Sequence, residues 1–378
     1  MWLFKLKKMA INFFLQSQDF GGAEKFAQDL LTDLAQKGQR VFLYTSNLNL
    51  IQAIDQEKNI KVEKIPLYLD YASNHKGLLK SLFLTPLALI YYLKILKAIS
   101  SRKEKQFIFC SGFSEKIIVS PLAKLFSLQV FFIEYGPLEP LFQKLYGLPK
   151  LLYYLFARKK ADRIIVSSKN TKRALKNIFP DEKMLFIPCG THFENNKVKE
   201  NKIKTGTITV VSRLEKGKGQ DLLITAFKKI EQEFPKAELK IIGTGNFYEE
   251  LKKQSQNHPR IKFLQFIKNP TKIIRESEII VCPSVWSLEG FGLVVIEAMA
   301  LRKAIVAFDR PPYNEILKNK DNALLAINKD SSDLAEKIIS LMKNKSLQNK
   351  LAKKAYLDFQ KKYQIGEISK QYLALLKN

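Results

Sequence analysis

Cysteine is scarce and nowhere paired: Cys110, Cys189 and Cys282 lie far apart in 378 residues with no C-x-x-C spacing. That excludes a disulfide-stapled fold and a cysteine-based zinc site, and makes a reducing cytoplasm the default compartment. Histidine is equally rare, and His75, His192 and His258 are unclustered and lack metal-ligand spacing. Long apolar runs are missing too. The longest, Leu82 to Leu93, is about a dozen residues and contains Pro86, short of the ~18–20 that cross a bilayer, and reads as a buried or interfacial helix. No stretch is of low complexity and no short repeat recurs. With 46% hydrophobic and 26% charged residues, what remains is a globular chain of about two domains, each able to bury its own core.

Acidic residues are outnumbered, with 36 Asp and Glu against 63 Lys and Arg and a net charge of +27. Such an excess suits nucleic acid, an anionic membrane face or a generally lysine-rich composition. Residues 1–200 hold 31 basic and 17 acidic side chains, +14, and the remainder 32 and 19, +13, so neither half is the basic one. A nucleic-acid binder would show a dense stripe or a known module. Neither is present, so nucleic acid is not an expected partner. The start, Met1 to Lys8, is basic and apolar but lacks an h-region and cleavage site. It reads as a surface anchor or as the lead-in to a first strand.

Short apolar runs alternate with amphipathic stretches throughout, the pattern of parallel strands covered by helices, so the fold class is α/β. Ala10–Leu15, Val41–Thr45, Phe107–Cys110, Val130–Ile133 and Ile164–Ser167 read as strands of a first domain. A polar stretch from Asn195 to Thr205 reads as a linker. Strands at Ile208–Val211, Leu239–Ile242, Ile279–Cys282 and Ala304–Phe308 then begin a second domain. The expected boundaries are residues 1–194, a linker at 195–205, and 206–378, with a last helix able to pack back on the first domain. Open parallel sheets bind ligands at the carboxyl ends of their strands.

The chemistry-bearing motifs fall at such ends. After Cys282 come Glu289-Gly290-Phe291-Gly292-Leu293 and, two turns into the following helix, Glu297. Eight positions at helical rise separate the two carboxylates by on the order of 12 Å, about the span of a diphosphate with a sugar on each side. The glycines admit close backbone approach, and the helix start offers free N–H groups. Alone, the two glutamates read first as a helix cap and a solvated helix residue. After Val211, Arg213 offers a rigid donor fork and Lys218 a point charge, in a loop turned by Gly217 and Gly219. Such a loop can hold a diphosphate without metal, or be a basic surface turn. Gly21-Gly22 and Gly243-Thr244-Gly245 are weaker phosphate- or sugar-contacting turns.

In this combination and order the chain resembles the retaining glycosyltransferases of family 4, which are group 1 glycosyl transferases with the two-Rossmann GT-B fold. The likeness covers nearly the whole chain and is strongest from Thr207 to Ala326. It implies two doubly wound domains facing a cleft, and transfer of a sugar from a UDP- or GDP-sugar to a hydroxyl acceptor in cell-envelope glycan or glycolipid synthesis. By position it implies that Glu297 binds the donor ribose, Glu289 the transferring sugar, and Arg213 and Lys218 the diphosphate. Gly290, Phe291, Gly292, Leu293 and Gly243 would line the donor site, with Phe266 and Ile267 presenting backbone to the base. Gly21 and Gly22 would lie on the acceptor side. Where members often carry a histidine, this chain has Glu134-Tyr135, either of which could fill that place. Asp309-Arg310-Pro311-Pro312 also departs from the glycines found there in many members. The resemblance implies no metal and no cofactor beyond the nucleotide sugar, a glycan or lipid-linked acceptor, and cytoplasmic work. The basic charge adds an expected peripheral contact with an anionic membrane. The alternatives are a basic nucleic-acid-binding protein and a non-transferase sugar-nucleotide enzyme such as an epimerase.

Overall fold

Seven short apolar segments build the first sheet of this computed structural model, which describes residues 9–54, 57, 59–192, 203–267 and 269–377. The strands are β1 (Met9–Leu15), β2 (Arg40–Thr45), β3 (Ile60–Lys64), β4 (Lys105–Cys110), β5 (Gln129–Glu134), β6 (Arg163–Val166) and β7 (Met184–Phe186). All pair in parallel in the order β3-β2-β1-β4-β5-β6-β7. The central strands are buried on both faces and therefore nearly continuous in apolar residues, as in β1, where Ala10 to Leu15 are all buried. Helices cover them, among them Gly22–Gln36, His75–Ser100 and Phe113–Leu125.

A second sheet comprises β8 (Thr207–Val211), β9 (Glu238–Ile242), β10 (Ile261–Leu264), β11 (Ile279–Cys282), β12 (Ala304–Phe308) and β13 (Leu324–Ala326), in the order β10-β9-β8-β11-β12-β13. It too is parallel throughout. Each sheet is doubly wound, with the strand order reversing beside β1 in one and beside β8 in the other. The α/β class with two Rossmann-like sheets is the architecture that the alternation predicts.

The chain divides into two units, residues 1–189 with 368–378, and residues 190–367. The last helix, Ile365–Lys377, thus belongs in most of its length to the first unit, where Tyr372 meets Phe26 and Phe109 with ring centroids 6.4 and 6.1 Å apart. The basic start at Met1–Lys8 and residues 195–202 of the expected linker lie outside the described residues.

One expectation is corrected. The apolar run Leu82–Leu93 is the middle of a 26-residue helix, His75–Ser100, which is long and apolar enough by length and composition to cross a membrane. The run looks short in sequence because lysines interrupt it, yet Pro86 does not end the helix and Asn74 caps its start through Gly77 N–H.

Candidate functional site

Two loops of the second unit leave adjacent strands at the point where the strand order reverses. The loop after β8 runs through Arg213 and Lys218 to the helix Gln220–Glu233, and the loop after β11 runs through Glu289 to the helix Leu293–Ala300. They are locked together by backbone. Val285 N–H donates to Gly217 O at 2.8 Å. Gly219, with φ +77°, lies so close to Pro283 that a Cβ would stand 1.9 Å from its carbonyl oxygen. Only glycine fits that crossing. Gly243 makes the equivalent approach from the loop after β9: a Cβ there would stand 2.0 Å from the Ser212 carbonyl oxygen. Gln220 fixes the loop from below, its Nε2 donating to Ser212 Oγ and Arg213 O, both at 2.8 Å.

On this frame Lys218 Nζ donates to Glu289 Oε2 at 2.9 Å, and both side chains are mostly buried, 9% and 14% exposed. The same ammonium lies 3.9 Å from the centroid of the Trp286 ring, and the Arg213 guanidinium 5.1 Å from it. Two cations therefore share one aromatic platform. Arg213 is exposed and pairs with Glu215 at 2.8 Å. The loop after β12 closes this side: Arg310 donates to the Ser284 and Trp286 carbonyl oxygens, each at 3.2 Å. Tyr313 packs under Gly292, and burial, with the Glu289 charge next, raises its phenol pKa well above the usual range. Burial likewise raises the Cys282 thiol, with Glu289 and Glu297 adding to it, so that thiol stays protonated.

Of the residues singled out in sequence, Lys218, Arg213, Glu289, Gly290, Phe291 and Gly292 gather on the loops after β8 and β11, and Leu293 begins the helix that follows. Glu297 follows in the helix that Gly292 opens, half-buried and with interactions of its own. Gly243 abuts the β8 loop, while Phe266, 52% exposed, and Ile267 lie after β10, at the far edge of the sheet. Trp286 is the residue that sequence reasoning left without a role. Its signal was its place in the same loop as Glu289.

In the first unit, Gly21 caps the helix Gly22–Gln36 and donates its N–H to Glu24 Oε2 at 2.8 Å. Glu134 and Tyr135 turn different ways. The Glu134 carboxylate faces inward, pairing with Lys116 Nζ at 2.9 Å and accepting from Tyr153 OH at 2.8 Å, all within the core. Tyr135 is half-buried, its ring edge-on to Phe26 and its hydroxyl accepting from Ser111 Oγ at 3.1 Å. A further carboxylate stands at the reversal point between β1 and β4. Glu115 is 2% exposed and accepts the Gln16 N–H, and burial lifts its pKa from 4.5 to about 7, with Glu24 nearby adding to the rise. The clue lay in spacing: Gly21-x-x-Glu24 after β1 and Gly112-x-x-Glu115 after β4 place an acid at the same helix position. Among the described residues no three His, Cys, Asp or Glu gather as metal ligands.

Residues 192–358 match the family model described as glycosyl transferases group 1. An uncharacterized glycosyltransferase of Methanocaldococcus jannaschii is 28% identical over 215 residues, covering 56% of this chain and 58% of that protein. A phosphatidyl-myo-inositol mannosyltransferase of Mycolicibacterium smegmatis is 29% identical over 136 residues, covering 35% of each. The chain spans about half the length of the curated relatives it matches. Among solved structures, Anabaena HepE in complex with UDP and glucose superposes with a TM-score of 0.79 at 19% identity, over 97% of this chain and 99% of that one. The fold is that of the GT-B glycosyltransferases, and the second unit carries the group 1 pattern.

Proposed function

We propose that the protein is a retaining glycosyltransferase of the family 4 type, moving a sugar from a nucleotide-diphosphate donor to a hydroxyl of a cell-envelope glycan or glycolipid. The observation that carries the reading is the Lys218–Glu289 pair, joined at 2.9 Å at the switch point of the second sheet beside Arg213 and the N-terminus of the helix Leu293–Ala300. A switch point that presents two cations and a helix N-terminus is suited to a diphosphate. Arg213 and Lys218 supply the positive charge that a leaving diphosphate needs, so the reaction runs without metal. Glu297 takes the ribose hydroxyls and Glu289 the hydroxyls of the sugar.

In the transfer itself the bond between the anomeric carbon and the phosphate oxygen breaks, and one to the acceptor oxygen forms on the same face. The acceptor proton passes to the departing phosphate oxygen. The acceptor binds on the first unit, at the carboxyl ends of β1 and β4, beside Gly21, Gly22 and the helix start that carries Glu115. Uridine diphosphate is the first donor to try, supported by the UDP bound to the Anabaena protein. A lipid-linked acceptor is supported by the phosphatidylinositol mannosyltransferase likeness.

A thermal-shift panel of UDP, GDP and ADP with their sugars tests the reading. One nucleotide family should raise the melting temperature, and its sugar should appear on an acceptor with the anomeric configuration of the donor. No protection by any of them, or an inverted product, would refute it.

A further inference from the structure

The helix His75–Ser100 has two unlike faces. Leu78, Ala88, Tyr92, Leu96 and Ile99 are buried against the core of the first unit, and Tyr92 accepts a hydrogen bond from Gln16 Nε2 beneath β1. The opposite face leaves large apolar side chains in the open: Leu79 is 67% exposed, Phe83 84%, Leu87 55% and Ile90 54%. Their spacing of four, four and three residues puts all four on one stripe, about 16 Å long at helical rise. Lys76 and Lys80 stand at one end of it and Lys94 and Lys97 at the other, all exposed.

Beside the start of this helix the chain offers a second such segment. Tyr146, 98% exposed, meets His75 with ring centroids 6.0 Å apart, and Leu151, Leu155 and Phe156 are 53%, 62% and 46% exposed. This segment, residues 144–160, carries Lys144, Lys150, Arg158, Lys159 and Lys160. Neither 75–100 nor 144–160 contains an Asp or Glu. Exposed apolar side chains clustered on this scale mark a covered surface.

We propose that these two segments form a binding surface for an anionic lipid bilayer, with Leu79, Phe83, Leu87 and Tyr146 entering the headgroup region and the seven exposed lysines, Lys76, Lys80, Lys94, Lys97, Lys144, Lys150 and Lys159, meeting lipid phosphates. The occupant follows from charge and shape together. Basic residues with no acid among them repel a second copy of the same surface and attract an anionic leaflet. The helix lies on this leaflet and does not span it, because spanning would strip Leu78, Tyr92, Leu96 and Ile99 from the core they complete.

Flotation with vesicles of phosphatidylcholine alone, or with added phosphatidylglycerol, tests this on the full chain. Wild type should bind the anionic vesicles and be released by salt. F83D/L87D, at two exposed positions, should lose binding at least tenfold. Replacing Lys76, Lys80, Lys94 and Lys97 by Gln should also weaken it, by about fivefold per charge at low salt. L357D, an exposed leucine in the other unit, should bind as wild type does. F83W should show a blue-shifted emission difference against wild type on anionic vesicles. Equal binding to both vesicle types, unchanged binding of F83D/L87D, or a lipid-free dimer that F83D/L87D dissolves would each overturn the proposal.

Discussion

Lys218 and Glu289 belong to different loops, 71 residues apart in sequence, yet their charged atoms meet at 2.9 Å over the face of Trp286. The pairing makes each residue the neighbour that sets the other's position. Removing either leaves a mostly buried charge without its partner, a costlier change than the loss of one surface ion pair. Lys218→Ala should therefore lower both melting temperature and turnover, whereas Glu215→Ala, which frees the exposed Arg213 from its surface partner, should leave stability within about 0.5 kcal/mol. Equal melting temperatures for wild type and Lys218→Ala would contradict this.

Donor binding and turnover should separate among the carboxylates. Arg213→Ala and Glu297→Ala are expected to weaken nucleotide affinity by about tenfold or more in calorimetry, the loss of a charged hydrogen bond. Glu289→Gln should keep affinity and lower turnover by about a hundredfold. Unaltered nucleotide affinity in both of the first two variants would sink the donor-site assignment.

Excess EDTA should leave the transfer rate largely intact, because Arg213 and Lys218 supply the charge. Activity that disappears with EDTA and returns with Mn²⁺ would refute that scheme.

Trp286 should matter through its ring. Trp286→Leu is expected to weaken nucleotide binding by about threefold to tenfold, the worth of cation–π contacts in a partly desolvated site, with Trp286→Phe retaining most of the affinity. Equal losses in the two variants would make the residue a spacer only.

Glu115 gives a pH signature. The folded chain keeps its proton up to about pH 7, whereas an exposed carboxyl in the unfolded chain loses it near 4.5. Between these values the native state binds more protons, so stability falls as pH rises, by on the order of 3 kcal/mol over the window. Glu115→Gln should flatten this part of the profile in chemical unfolding from pH 4 to 8, and an unchanged slope would assign the dependence elsewhere.

The legible part of the fold is its centre. β1, β4, β5, β8, β11 and β12 are buried on both faces and stand out as apolar runs. The edge strands β3, β7, β10 and β13 went unread because they are short, and three of them are half-exposed, as in Ile60–Lys64 with only Ile60 buried. At the candidate site, glycines and charges could be read from spacing, since Gly219 and Gly243 are demanded by backbone crossings. What spacing could not carry was side-chain direction. Glu134 and Tyr135 are neighbours in sequence, and only packing against Lys116 and Tyr153 decides that the first faces the core.

The first unit is assembled from two stretches of chain, with residues 368–378 returning after the whole of 190–367. Ser369 hydrogen-bonds Asp33 and Tyr372 rests on Phe26, so the helix Gly22–Gln36 obtains neighbours from a segment that follows the whole of the second unit. During synthesis, then, the first unit is completed only after the second has been made. It must wait, with the flank around Phe26 and Phe109 uncovered, until residues 368–378 have been made, and a truncation before residue 368 would damage a unit encoded far upstream in the message.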